Sequence, residues 1–174
     1  KIRGKSSYYF SNYFSTYGWA GWRRTMKYYD VNMSSWIKWK KSNDWKKIKS
    51  KMYTKEGEYW TDIFDKTYKK IIKTWDYQFM FSLWKNKQLV ITPNSNLSSH
   101  IGLGFNATNS RAKKPGVPLK GIQFPLKHPK KIEVDEKADR YSFIFMPYQG
   151  IFLYFPFNLI SFFYIKFKKL IGTY

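Results

Sequence analysis

The sequence predicts a chain of the α/β class, because strand-like runs and amphipathic helical patterns occur together in it. Strands are predicted for residues 7–11 and 89–92, where aromatic or aliphatic residues cluster and Pro93 stops the second run. Helices are predicted for residues 56–70 and 75–86, where apolar side chains recur at helical spacing. The 174 residues suit one domain with a sizeable core.

The remaining segments complete the predicted layout. A helix over residues 19–28 follows Gly18, a residue that allows close backbone approach. Short helical pieces are predicted within residues 34–50, where tryptophans alternate with lysines. Residues 93–129 contain several prolines and are predicted to be mostly loop, whereas residues 141–167 return to aromatic and aliphatic content.

Each of the two longer helices carries an apolar stripe, which predicts the face that is buried. In the helix 56–70 the stripe consists of Trp60, Ile63, Phe64, Thr67 and Ile71. In the helix 75–86 one stripe consists of Trp75, Phe79 and Leu83, with Met80 and Trp84 beside it.

The charge composition narrows the classes of partner. The chain carries 32 basic and 11 acidic residues, a formal net charge of +21, which attracts phosphates, nucleotides, nucleic acid or an acidic membrane face. Aromatic residues make up 22% of the chain, too many for a disordered basic tail. Because there is no cysteine, a disulfide framework and a cysteine metal site are excluded for this sequence.

Residues 74–110 bring an acid and a polar loop close together along the chain. Asp76 opens the predicted helix 75–86, a short strand follows, and then a loop rich in Asn, Ser and Gly. This order is a common way to deliver a catalytic carboxylate and a ligand-binding loop to one pocket. A structural role is the alternative, because an acid in the first helical turn, after Thr74 as N-cap, is stabilised by the helix dipole by about 0.3–1 kcal/mol.

Two groups of short motifs carry a family resemblance. The first group is Tyr8-Tyr9-Phe10-Ser11, Gly18-Trp19-Ala20, Trp22-Arg23-Arg24 and Tyr29-Asp30-Val31. The second group is Trp75-Asp76-Tyr77-Gln78, Trp84-Lys85-Asn86, Pro93-Asn94, Asn96-Leu97, Ile101-Gly102, Gly104 and Ala107-Thr108. In this order, over about residues 6–130, they resemble bacterial nucleotide-diphospho-sugar transferases of the glycosyltransferase-A type, some of which are described as hemolytic protein HlpA-like.

The resemblance implies a fold, a reaction and a cofactor. Residues 1–140 would be the C-terminal part of a Rossmann-like glycosyltransferase-A domain, followed by an apolar, basic-ended segment over residues 141–174. The nucleotide-binding βα units and the acidic motif that holds Mn or Mg would lie upstream, since no Asp-x-Asp or Glu-Asp-Asp occurs here. The complete protein would transfer a sugar, with inversion, from a nucleotide-sugar donor to a glycan or lipid-linked acceptor.

The resemblance also implies roles for single residues. Asp76 corresponds to the base that takes the acceptor hydroxyl proton, a role usually worth about 10²–10⁴-fold in rate. Arg23 and Arg24 suit the diphosphate because a guanidinium forms paired hydrogen bonds. The alternative interpretation is that these two arginines lie on a solvated face or form an ion pair with Asp30.

Three tryptophans, Trp19, Trp22 and Trp75, are candidates for stacking on a sugar ring, with core packing as the alternative. In the polar loop the candidate ligand-binding residues are Asn94, Asn96, Gly102 and Gly104. Two positions differ from the family pattern: His100 stands where Asn is usual, and Asn109 where His is usual. His100 is the candidate to replace that histidine as a metal ligand, with a solvated loop side chain as the alternative.

Two further segments leave their function open. Tryptophan and lysine alternate in residues 38–55, which suits either nucleic-acid stacking or, as we expect, a lysine-covered amphipathic face. The apolar run within residues 144–165, followed by lysines, suits either an interfacial membrane anchor or a segment packed on the missing half.

Three hypotheses therefore remain: a cytoplasmic glycosyltransferase with peripheral contact to the inner membrane, an inactive remnant, or a basic protein that binds membrane or nucleic acid. We expect the first, with nucleic acid the less favoured partner.

Overall fold

The computed structural model describes residues 4–52, 54–99 and 118–145. Predicted features outside these ranges include His100, Gly102, Gly104, Asn109 and residues 146–174 of the apolar C-terminal segment. The elements of the described residues are, in chain order, β1 (Tyr8–Ser11), α1 (Arg23–Met26), α2 (Trp36–Lys40), α3 (Asn43–Ser50), α4 (Thr54–Tyr68), α5 (Asp76–Lys85), β2 (Val90–Pro93) and α6 (Glu136–Phe145). A first compact unit ends at Asp135, and α6 begins the second.

The two strands form an antiparallel pair that joins the start of the chain to the end of α5. Tyr8 lies opposite Pro93, and Ser11 lies opposite Val90. On β1 an isolated parallel bridge joins Phe10 to Val134. Among the described residues this bridge is the one parallel pairing, so the Rossmann-like expectation stays a prediction.

An aromatic core holds α2, α3, α4 and α5 together. Trp36 and Phe64 have no measurable exposure, and their ring centroids are 5.2 Å apart in an edge-to-face arrangement. Trp84 of α5 packs edge-to-face on Trp60 of α4 at 5.1 Å, and its Nε1 donates to the carbonyl oxygen of Asn12 at 2.6 Å. Edge-to-face pairs add about 0.5–1.5 kcal/mol each beyond their buried area. The core thus also anchors the segment that follows β1.

The two longer predicted helices are confirmed, with two exceptions in their predicted buried stripes, Ile71 and Trp75. Trp75 is 44% exposed because it is the N-cap residue of α5 and precedes the helical repeat. Trp60, Phe64 and Thr67 of α4 are buried, but Ile71 is 67% exposed. The reason is that α4 ends at Tyr68 and Lys70 adopts a left-handed φ of 59°. The helical repeat therefore stops before it reaches Ile71.

The helix predicted over residues 19–28 is wrong in length, because α1 contains only Arg23–Met26. Gly18 has a φ of +60°, which turns the chain before Trp19. A Cβ atom at Gly18 would lie 3.2 Å from the Cβ of Ser98, so the expected close backbone approach is confirmed. Residues 19–21 consequently lie outside the helix and are free to line a cleft.

Candidate functional site

An open cleft of about 490 Å³ lies between the segment before α1, the helix α5 and the strand β2. Its floor includes Phe79 and Leu83 of α5, both buried. Its lining also includes Trp19 and Trp22 from the segment before α1 and Ile91 from β2. The cleft is large enough for a small organic ligand and is lined mostly by apolar side chains, as ligand pockets usually are.

One wall of the cleft is an aromatic cluster. The ring centroids of Trp19 and Trp75 are 5.4 Å apart with the planes tilted by 31°. Phe14 packs edge-on against Trp19 at 5.0 Å and against Phe79 at 4.9 Å. Two residues predicted to stack on sugar, Trp19 and Trp75, are thus brought together, and Trp75 touches the cleft wall without lining the cleft itself.

Trp19, Trp22 and Trp75 are surface residues, so the alternative that they form core is wrong. Their exposed fractions are 38%, 64% and 44%. Trp22 is the N-cap residue of α1 and Trp75 is the N-cap residue of α5, and neither cap makes a side-chain hydrogen bond. Large apolar side chains held at a helix end beside a cleft are available to a ligand.

Asp76 lies next to the cleft and is not one of its lining residues. Its Oδ1 accepts hydrogen bonds from the Thr74 hydroxyl and, at 3.0 Å, from the Tyr77 backbone N–H. The N-cap of α5 is Trp75 and not Thr74, so that prediction is wrong by one residue. The Thr74 hydroxyl instead orients the carboxylate directly.

The charge of Asp76 raises the pKa of two tyrosines, Tyr29 and Tyr77. Burial raises the pKa of the Tyr29 phenol, and the nearby Asp76 carboxylate raises it further. The pKa of Tyr77 is raised by the same two causes, in the same order. Both phenols therefore stay protonated at neutral pH, and the Tyr29 hydroxyl donates to the Trp75 carbonyl oxygen at 3.4 Å. Sequence reasoning missed Tyr29 as a neighbour of Asp76, because a contact between residues so far apart in the chain leaves no local pattern.

The arginine pair opens α1 and is not among the residues that line the cleft. Arg23 and Arg24 are both exposed, and the Arg24 guanidinium carbon lies 4.9 Å from the centre of the Trp22 ring. No described ion pair joins either arginine to Asp30, whose carboxylate accepts from the Ser34 hydroxyl at 2.8 Å. Burial would raise the pKa of Asp30, but hydrogen bonds from the Ser34 hydroxyl and nearby backbone N–H groups outweigh it and lower the pKa.

The two predicted asparagines have structural partners. The Asn94 side-chain nitrogen donates a hydrogen bond to the Ser6 carbonyl oxygen at 2.8 Å. The Asn96 side-chain nitrogen donates one to the Pro118 carbonyl oxygen at 3.3 Å. Neither asparagine lines the cleft. They join neighbouring backbone segments, a role that the loop composition did not reveal.

The lysine-rich segment is an amphipathic surface, as expected. Trp36, Trp39 and Trp45 are buried, while Lys46 and Lys47 face solvent. The buried indoles cannot stack on nucleic-acid bases, so the alternation of tryptophan and lysine reflects helix packing.

Residues that would hold the expected metal do not occur together in the described ranges. No group of three or more His, Asp or Glu side chains there could hold a metal ion. His100, the predicted ligand, lies outside those ranges.

No protein-family model, curated protein or solved structure matches this chain. None of the helices in the described ranges is long and apolar enough to cross a bilayer.

Proposed function

We propose that the described residues form the acceptor-side half of a glycosyltransferase site, which transfers a sugar with inversion from a nucleotide-sugar donor. The observation that supports this most is the grouping of three exposed tryptophans at one cleft. Trp19 and Trp22 line the cleft, and Trp75 packs against Trp19. Aromatic faces suit the apolar C–H faces of a sugar ring, and exposed apolar surface at a cleft is typical of a binding site.

In this proposal Asp76 is the base. Thr74 and Tyr77 both donate to Oδ1, which orients the carboxylate and leaves Oδ2 as the oxygen that takes the acceptor proton. The acceptor oxygen attacks the anomeric carbon, the bond from that carbon to the diphosphate breaks, and the nucleoside diphosphate leaves. Because Asp76 does not line the cleft, the acceptor must extend over the Trp75 face to reach it.

The test uses Asp76→Asn in the full-length protein. We expect transfer to fall by about 10²–10⁴-fold, because the amide cannot take the proton, while donor binding stays largely intact. Asp62→Asn is the matched control, since Asp62 forms only a surface pair with Lys66 in the described contacts and should leave transfer unchanged. Wild-type turnover by the Asp76 variant would remove Asp76 from the mechanism.

A sugar-binding protein without catalysis is the second candidate, and the position of Asp76 outside the cleft lining favours it. Both candidates predict that Trp75→Ala weakens sugar binding, measured by fluorescence titration. Only the first predicts transfer by the wild-type full-length protein. Absence of sugar binding by the wild type would contradict both.

A further inference from the structure

The surface around α1 combines exposed apolar side chains with cations that form no ion pair within the described part of the chain. The apolar members are Trp19, Trp22, Met26 and Tyr28, with exposed fractions between 38% and 64%. Trp19 and Met26 lie close together, since a Cβ atom at Gly21 would meet the Trp19 ring at 3.1 Å and the Met26 sulfur at 3.7 Å. Trp22 and Tyr28 belong to the same short segment of the chain. An exposed apolar group of this kind on a chain of high charge requires an explanation.

The same surface carries three basic residues within five positions, Arg23, Arg24 and Lys27. None of the three forms an ion pair with a carboxylate of the described residues. The Arg24 guanidinium lies 4.9 Å from the Trp22 ring centre, so the two side chains form one unit with an apolar body and a charged head. We call these seven residues the aromatic–basic patch.

We infer that the aromatic–basic patch docks the protein on an anionic lipid surface. Trp and Tyr rings favour the headgroup level of a bilayer, where Arg and Lys meet lipid phosphates. Met26 adds an unbranched apolar side chain that can enter the acyl boundary. The inference does not depend on sugar transfer or on the apolar tail.

A second basic surface shows why charge alone does not explain the patch. On α3, Lys46 and Lys47 are exposed, but the neighbouring Trp45 is only 2% exposed. That surface offers cations without apolar groups and would attract any polyanion through charge. Of these two surfaces, the aromatic–basic patch is the one that offers both components that interfacial binding needs. Because Trp19 and Trp22 also line the cleft, a lipid-carried substrate would meet the cleft at the membrane surface.

The test is co-sedimentation of the 174-residue chain with two kinds of vesicle, phosphatidylcholine alone and an equal mixture with phosphatidylglycerol. We expect binding to the mixture and weak binding to phosphatidylcholine. Arg23→Gln with Arg24→Gln should weaken binding roughly 25-fold, about fivefold for each charge removed. Trp22→Ala should weaken it about tenfold through lost apolar burial.

The matched control is Lys46→Gln with Lys47→Gln, which removes the same charge from the lysine-rich surface. We expect vesicle binding to weaken much less in this variant than in the variant that replaces both arginines. All substituted residues are exposed, and circular dichroism checks that each variant is folded.

Tryptophan emission gives an independent measurement. Trp22→Phe keeps an apolar ring and should still bind, but the blue shift that vesicles cause in the wild type should become smaller, because Trp19 is then the one tryptophan left in the patch. Three results would overturn the inference: no binding to anionic vesicles, equal losses in the two charge-pair variants, or full binding by Trp22→Ala.

Discussion

Tryptophans occupy two contrasting regions of this molecule. Five of the eight, Trp36, Trp39, Trp45, Trp60 and Trp84, pack in the core between α2 and α5. The other three, Trp19, Trp22 and Trp75, are exposed beside the cleft. Residue type is the same in both regions, so what differs is the position of each tryptophan relative to its helix.

The core tryptophans lie within helices, where the 3.6-residue repeat directs them to a shared face. Trp22 and Trp75 instead cap α1 and α5, and Trp19 follows the turn at Gly18. These three side chains lie outside the helical repeats and are 38–64% exposed. Burial therefore stabilises the first group, whereas the second is available for binding.

Among the variants that test this contrast between core and surface tryptophans, Trp60→Ala should lower the stability of the fold most. Trp60 is 1% exposed and contacts the rings of Phe64 and Trp84, so its removal leaves a cavity. We expect the free energy of unfolding to fall by about 3–5 kcal/mol in urea denaturation. Trp22→Ala is the matched control, with a change within about 0.5 kcal/mol. Similar losses in both variants would contradict the division into core and surface tryptophans.

The stability of the fold should depend on pH through Asp65, which lies at the polar edge of the core. Its carboxylate accepts from Trp36 Nε1 at 2.8 Å and from Lys40 Nζ at 2.6 Å. Burial would raise the pKa of Asp65, but these hydrogen bonds and the charges of Lys40 and Lys69 outweigh it and lower the pKa. A lowered folded-state pKa stabilises the fold above the unfolded-state value of about 4, and that stability is lost as pH falls through the folded-state pKa.

Asp65→Asn should therefore cost about 1–2 kcal/mol at neutral pH, because the charge-assisted bond from Lys40 is lost. The difference from the wild type should shrink as the pH of urea denaturation falls below about 4. Asp62→Asn, at an exposed pair with Lys66, is the control and should change little. A pH-independent difference would exclude Asp65 as the responsible group.

The smallest expected effect is a difference in stability between substitutions of two core tryptophans, Trp84 and Trp60. It comes from their ring N–H groups. Trp84 Nε1 donates to the Asn12 carbonyl oxygen, whereas Trp60 Nε1 has no hydrogen-bond partner among the described residues. Trp84→Phe should therefore cost about 1 kcal/mol more than Trp60→Phe, measured by thermal or urea unfolding. Equal costs would mean that the Asn12 contact adds no net stability.

Prediction from the sequence was strongest for helices with a complete apolar repeat. The helices α4 and α5 and the burial of Trp60 and Phe64 follow from spacing within a few turns. The helix predicted around α1 was too long, because no apolar repeat marks its ends. Asn94 suited a ligand by residue type, yet its side chain bonds to Ser6, a contact between distant parts of the chain.

The sequence by itself determined the long helices, their buried aromatic faces and the large positive charge, since all three depend on local spacing or composition. Only the tertiary structure decided that Trp19 meets Trp75 and that Asp76 lies beside the cleft rather than in its lining. Such positions depend on long-range contacts, such as Gly18 against Ser98, that bring separate loops together. Periodicity within one segment carries no information about those contacts.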